Sequence, residues 1–211
     1  MDMGLPKGLE RPLATPRRLG PAERERFEAY LSEILRSLGM DFSEEGTRGT
    51  PARLLQAWID STSGYEADPK LLTTFALEPM EGEQGASAQV VEGPIPFSAL
   101  CEHHVLPFFG VAWVGYVPRD RVIGLSKLTR LVRQYSRRFT MQERMGRQVA
   151  ARLQSMLDAR GAAVRLHAFH SCTRMRGVCE NDAWTSTLAW RGDYESSEGL
   201  RREFLALASR G

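Results

Sequence analysis

Residues 97–117 read FSALCEHHVLPFFGVAWVGYV, and the fold is decided here. The second half, FFGVAWVGYV (108–117), is dense in aromatic and β-branched residues and predicts a strand, closed by Pro118 and Asp120. Ahead of it, AQVVEG (88–93) and the FSAL run after Pro96 read as a preceding strand. Two helices follow. Ser126 can cap the first, which runs to about Arg138. The second runs from about Thr140 to Arg160, with Val149, Leu153, Met156 and Leu157 inward and Gly161 as its stop. AVRLHAFHS (163–171) alternates as a strand does, TSTLAW (185–190) fits another, and a last helix spans 198–209 with Leu200, Phe204 and Leu207. The order strand, strand, helix, helix, strand, strand implies an α+β domain: an antiparallel four-stranded sheet with two long helices on one face.

Upstream, Phe27, Tyr30, Leu31, Ile34, Leu35 and Leu38 recur at helical spacing between Pro21 and Gly39. A second helix starts at Thr50-Pro51, with Thr50 as N-cap, and ends by Gly64. Asp68-Pro69 starts a short helix through Phe75. EPMEGEQGAS (78–87) reads as a loop, and residues 1–20, rich in Pro, Gly and Arg, as a flexible tail. The expected organisation is therefore a tail (1–20), an N-terminal helical region (21–77) and a catalytic domain (78–211).

A chain of 211 residues can bury a core without staples. Its net charge of +2 exerts no global pull on nucleic acid or membrane. Charge is uneven, however: ten Lys or Arg stand against Asp120 and Glu143 between Arg119 and Arg152. That excess suits an anionic ligand or a solvated helical face, but it lacks the aromatic interleaving of a nucleic-acid platform. Three cysteines argue against a secreted disulfide framework. No apolar run approaches a membrane span, and the N-terminal stretch has no apolar core of a secretory signal. The expected address is cytoplasmic, without membrane or nucleic-acid partners.

Within the opening stretch, Cys101, Glu102, His103 and His104 stand side by side, in a chain with only four histidines. Cys101 and His104 have C-x-x-H spacing, short enough for one turn to aim both at one ion. Cys172, in His170-Ser171-Cys172 at the end of a predicted strand, completes a Cys-His-Cys set with a position left for water, the pattern of a catalytic zinc site. His103 and His170 then lie beside the metal but free of it, suited to general acid–base work. The competing readings are cysteines and histidines that merely pack, and a four-ligand structural site completed by Cys179 or His167. His167 sits three residues before His170 on an alternating strand and should face the other way.

GLSKLTRLVRQYSRR (124–138) opens a helix at a glycine turn, where free N–H groups favour phosphate. Ser126, Lys127 and Arg130 cluster in its first turns, and Arg176 follows the H-x-C motif. Gln142-Glu143 opens the next long helix. A carboxylate there could accept from guanine N1–H and its amino group; a first-turn Glu is also good helix electrostatics, and spacing alone leaves both open.

Taken together, FSALCEHHVLPFFG, GYVP, GLSKLTRLV, SRR followed by MQER, HSCTRMRGV and the closing REFL resemble the GTP cyclohydrolase I family over roughly residues 45–207. The resemblance implies the tunnelling fold and a zinc enzyme of folate and pterin synthesis. Cys101, His104 and Cys172 would be the zinc ligands. His170 would protonate the purine imidazole ring while water activated by zinc attacks C8, and His103 would serve hydrolysis and later proton transfers on the ribose. Ser126 is placed with these catalytic groups and also opens the triphosphate grip of Lys127, Arg130 and Arg176, which Arg53 of a neighbouring subunit would join. Gln142 and Glu143 would hold the guanine of GTP. The products would be formate and 7,8-dihydroneopterin triphosphate, and the subunits would form a homo-oligomeric ring, two stacked pentamers. Departures from the family pattern are Gln56, where lysine is usual, Thr140, where glutamine is usual, His167, and Asp182-Ala183-Trp184. They motivate an alternative: a diverged relative that stops at a formamidopyrimidine product or prefers another phosphate state.

Overall fold

The computed structural model describes residues 18–77 and 89–209. Most of the expected tail and the expected 78–87 loop lie outside these residues.

Helix α1 (Pro21–Ser37) begins where Pro21 needs no amide partner and the Glu23 carboxylate accepts from the Gly20 N–H at 3.0 Å. Gly39, at φ 98°, ends the run. After the single turn α2 (Glu45–Arg48), α3 (Thr50–Ser61) starts with Gly49 as its N-cap. Thr50 is thus the first helical residue rather than the cap. The expected short helix after Asp68 is a 3₁₀ turn, Pro69–Leu72, followed by strand β1 (Thr74–Ala76). β1 pairs antiparallel with β4 (Arg121–Ile123), a second small sheet absent from the sequence reading.

The main sheet is built from β2 (Val90–Cys101), β3 (Pro107–Val117), β6 (Gly161–His170) and β7 (Thr185–Gly192), all antiparallel neighbours in that order. Helices α4 (Leu125–Ser136) and α5 (Gln142–Leu157) connect β3 to β6 and cover one face. This is the ββααββ arrangement of a tunnelling fold. The sheet carries a fifth member, β5 (Phe139–Thr140), parallel to the end of β2. It arises because the short link between α4 and α5 runs alongside Leu100 and Glu102, whose amides donate to the Arg138 and Thr140 carbonyls at 3.3 and 3.2 Å.

Alternation explains the packing. Ile95, Phe97, Ala99 and Cys101 on β2, Phe108, Ala112, Val114 and Tyr116 on β3, and Val164, Leu166 and Ala168 on β6 share the helix-covered core. Trp113 and Val117 point the other way, yet they are buried too. Helix α8 (Glu198–Leu207), reached through α7 (Asp193–Ser196), lays Phe204 on them beside Tyr194. Cover on both faces is why FFGVAWVGYV is apolar almost throughout rather than alternating. Arg165 lies over the Trp113 ring at 5.0 Å and donates to the Ala208 carbonyl at 2.9 Å, holding the end of α8. Phe204 is fully buried and meets Trp190 and Tyr194 edge to face. Phe204→Ala is expected to cost about 3–5 kcal/mol, read as a lowered urea midpoint.

Other helix ends also differ from expectation. α4 starts at Leu125 with Gly124 as N-cap, so Ser126 lies inside the first turn and caps nothing. α5 stops at Asp158, which adopts the left-handed conformation (φ 48°), three residues before Gly161. Gly64 fixes the N-terminal region to α4: its N–H donates to the Arg137 carbonyl at 2.9 Å, and a Cβ there would meet the Gln134 carbonyl at 2.2 Å. Among the described residues no helix is long and apolar enough to cross a membrane.

Candidate metal and nucleotide site

The turn between β2 and β3 is short and heavily anchored. The Cys101 N–H donates to the Leu106 carbonyl at 2.8 Å, and the His104 and Val105 N–H groups both donate to the Cys101 carbonyl. Val105 takes a left-handed conformation, φ 56°, which is costly for a β-branched residue and is tolerated at over-determined sites. The reversal leaves both imidazoles beside the thiol: Cys101 Sγ lies 3.8 Å from His103 Nδ1 and 3.7 Å from His104 Nδ1. Glu102 is tied to α5 by a two-pronged ion pair with Arg144, one prong being Nη2 to Oε1 at 2.9 Å.

At the facing strand end, β6 delivers His170 and runs directly into the single turn α6 (Ser171–Arg174), which carries Cys172. The ligand atoms of Cys101, His104 and Cys172 all lie within 4.8 Å of one another. Two thiols and one imidazole form a set that suits zinc, with room for a fourth, non-protein ligand. Burial, and then the neighbouring Cys101, push the Cys172 thiol pKa up, while Arg176 pulls it down. A bound divalent cation would favour the thiolates, so the residues fit a metal. His167 lies outside the group, as its strand parity predicts. It stacks on Trp184 at 4.7 Å, with Nδ1 2.7 Å from Ser186 Oγ. Cys179 is exposed and also outside it.

His170 is held on two sides. Its ring stacks on Phe108, its cross-strand partner, at 4.6 Å and an interplanar angle of 6°. Its Nε2 lies 2.9 Å from Gln142 Oε1. Burial lowers the His170 pKa below the ordinary value, and the Glu143 charge partly opposes this. His103, in contrast, is exposed, with Nε2 4.0 Å from Glu102 Oε1.

The other candidates are more scattered. Ser126 and Arg130 line a cleft of about 400 Å³ between α4 and residues 63–68, together with Arg133 and Arg137. Arg130 Nη1 pairs with Asp68 Oδ2 at 3.1 Å, and the Lys127 ammonium donates to the Lys70 carbonyl. Glu143 is exposed on α5 and lines a groove of about 500 Å³ against Thr187, Leu188 and Ala189 of the edge strand β7. Arg53 donates to the Gly46 carbonyl at 2.6 Å and to Thr50 Oγ1 at 3.0 Å. Within one chain, then, Cys101, His103, His104, His170 and Cys172 converge, and Arg176 lies close enough to act on Cys172. Lys127, Arg130 and Arg53 share no hydrogen bond or ion pair with that cluster among the described residues.

Gln142 is the residue expected, with Glu143, to hold guanine. It is 1% exposed, and its amide is bonded inside the chain. Two more contacts escaped the sequence reading: the Glu102–Arg144 pair and the Phe108–His170 stack. Glu102 lies within the cluster, but nothing in the spacing identifies its cation. The stack needs the β3–β6 register.

Comparison with known proteins agrees with this arrangement. The family model described as GTP cyclohydrolase I matches residues 27–209. The chain is 40% identical over 184 residues to the GTP cyclohydrolase 1 of Campylobacter lari, covering 87% of this chain and 95% of that one. To the GTP cyclohydrolase 1 of Nitrosospira multiformis it is 43% identical over 176 residues, covering 83% and 90%. Among solved structures, the archaeosine synthase QueF-Like in the apo form superposes with a TM-score of 0.39 at 13% identity, over 52% of this chain and 97% of that one; the fold assignment rests on the topology above and not on this likeness. With a matching family model over most of its length, and relatives of that name at about two-fifths identity, the chain belongs to the GTP cyclohydrolase I family of enzymes.

Proposed function

We propose that this protein is a zinc-dependent cytoplasmic enzyme that opens the guanine imidazole ring of GTP at C8, releases formate and forms 7,8-dihydroneopterin triphosphate. The observation that carries the reading is the convergence of Cys101, His104 and Cys172 within 4.8 Å, with the clamped imidazole of His170 two residues from one ligand.

Cys101, His104 and Cys172 would hold the zinc, which would supply the Lewis acidity needed to activate a water near neutral pH. The chain's own residues do the rest. His170, whose pKa burial lowers, would take up the proton released by the attacking water and pass it to the imidazole ring of the purine as C8 is attacked. His103, exposed at the turn, serves hydrolysis of the opened ring and the later proton transfers on the ribose. Glu143, in the groove beside β7, accepts from guanine N1–H and the amino group. Ser126, Lys127, Arg130 and Arg176 hold the triphosphate, whose charge would displace the Asp68 and Lys70 contacts of Arg130 and Lys127. Weakening the turn should weaken the metal: Arg144→Met is expected to lower zinc retention about 10- to 100-fold in chelator competition.

Assembly completes the site in this reading. Among the described residues no strand pairs with the outer edge of β7, and only β5 pairs with the outer edge of β2, at Leu100 and Cys101. Two different open edges on one sheet favour head-to-tail pairing into a closed ring. A ring of two stacked pentamers would bring Arg53 of one subunit to the phosphates of the next.

A second reading has one observation in its favour. Gln56, where a lysine is usual, is bonded within the chain, to Asp60 Oδ1 at 2.8 Å and to an Arg24 Nη2 donor at 3.2 Å. A weaker grip on the phosphates fits an enzyme that stops at a formamidopyrimidine product or takes another phosphate state. Incubating the zinc-loaded protein with GTP and reading formate and product mass together separates the two. Formate with the dihydroneopterin triphosphate mass supports the full reaction, whereas a ring-opened mass without a pterin supports the second reading. An unchanged GTP mass with zinc bound contradicts the full reaction, and the same assay on GDP and GMP then decides whether another phosphate state is taken.

A further inference from the structure

We infer that Gln142 is a positioning residue that fixes both the ring plane and the tautomer of His170, leaving Nδ1 as the atom through which this imidazole exchanges its proton. The inference concerns which atom moves the proton; its link to catalysis rests on the proposed reaction, but the tautomer does not.

The orientation of one buried amide decides the tautomer. Gln142 Nε2 lies 3.3 Å from the Leu166 carbonyl, 2.9 Å from the Thr185 carbonyl and 3.2 Å from Thr187 Oγ1. The two backbone carbonyls can only accept, so the NH₂ group must face them. The reversed amide would set Oε1 against two other oxygens in a site that is 1% exposed. Oε1 is therefore the atom facing His170 Nε2 at 2.9 Å. A carbonyl oxygen accepts, so Nε2 carries a hydrogen whether the ring is neutral or charged. The exchangeable position is then Nδ1. Phe108, stacked at an interplanar angle of 6°, prevents the ring from rotating out of this pairing.

The support comes from three elements: α5 supplies Gln142, β6 supplies Leu166 and His170, and β7 supplies Thr185 and Thr187. The device therefore reports correct docking of α5 on the far edge of the sheet. It also accounts for the division of labour at the start of α5. Gln142 points inward and is taken up by the chain, and the exposed Glu143 is left for the purine.

The tautomer can be read without substrate. In zinc-loaded, full-length protein labelled with ¹⁵N-histidine, solid-state spectra resolve protonated from bare ring nitrogens, and His170→Ala identifies the signal among the four histidines. The expected neutral form of His170 has Nε2 protonated and Nδ1 bare, and Gln142→Met turns it into a mixture. An Nδ1-protonated neutral ring, or a spectrum unchanged in Gln142→Met, overturns the inference. Kinetics supply the second arm. Gln142→Met is expected to lower kcat for formate release by about 10²-fold, with KM for GTP within about threefold, since loss of alignment acts on the chemical step. In a His170→Ala background the same change should cost nothing further. A raised KM at unchanged kcat, or an equal loss in both backgrounds, contradicts the assignment. Thr187→Val keeps the His170 bond and removes one anchor of the amide; it should act in the same direction but more weakly, and it serves if Gln142→Met folds poorly. Wild-type protein that releases no formate would defeat the proposed reaction, while the ¹⁵N spectrum would still decide the tautomer.

Discussion

Replacing Cys172 with serine is expected to remove both the bound metal and formate release. Cys172 stands on the single turn α6, across from the β2–β3 turn, so its thiol is what joins the two halves of the ligand set. A serine hydroxyl is a poor substitute for a thiolate in a set with one other thiol and one imidazole. Lewis-acid stabilisation is worth several kcal/mol, and each ~1.4 kcal/mol is a factor of ten, so formate release should fall by about 10³-fold or more. Metal content after dialysis, measured beside the rate, checks the cause. Retained zinc with a lost rate would point to Cys172 acting in some other way. The fold should survive, because Cys172 only packs against the edge of the core.

His170→Ala is the second large effect. General acid–base groups contribute typically ~10²–10⁴-fold, and kcat is expected to fall within that range with little change in KM. Zinc retention should be unchanged, since His170 lies outside the ligand group. Gln142 would be left with an unpaired Oε1 in a buried site, so a modest loss of stability of about 1–3 kcal/mol should accompany the kinetic loss. A KM increase at constant kcat would instead make His170 a binding group.

The two variants separate two kinds of information that the sequence carries unequally. The Cys-His-Cys set was legible because C-x-x-H fits one turn and H-x-C falls at a strand end, and the strand parity that excluded His167 also holds. The ββααββ order was legible because each element has its own periodicity and stops. The illegible parts are chiefly relations between elements. β1 and β4 are three residues each and pair only because Thr74 and Ile123 are brought together by the fold. β5 is two residues long and gains its partner from the path of the link after α4. α5 ends before Gly161 because Asp158 takes the left-handed position that glycine usually fills. The burial of Gln142 depends on the Leu166 and Thr185 carbonyls, 24 and 43 residues away, which no local pattern shows. The proposed phosphate grip is the least complete part in one chain: Arg130 and Lys127 are engaged with Asp68 and Lys70, and Arg53 with its own loop. Those contacts are what a triphosphate and a neighbouring subunit would have to exchange.

The most direct measurement is to follow GTP carrying ¹³C at C8 by NMR in the presence of the zinc-loaded, assembled protein. The label is expected to leave the purine and appear as formate, in step with formation of 7,8-dihydroneopterin triphosphate, and neither should occur in Cys172→Ser. A label that stays in an unopened purine, with zinc and GTP both bound, would contradict the proposed reaction.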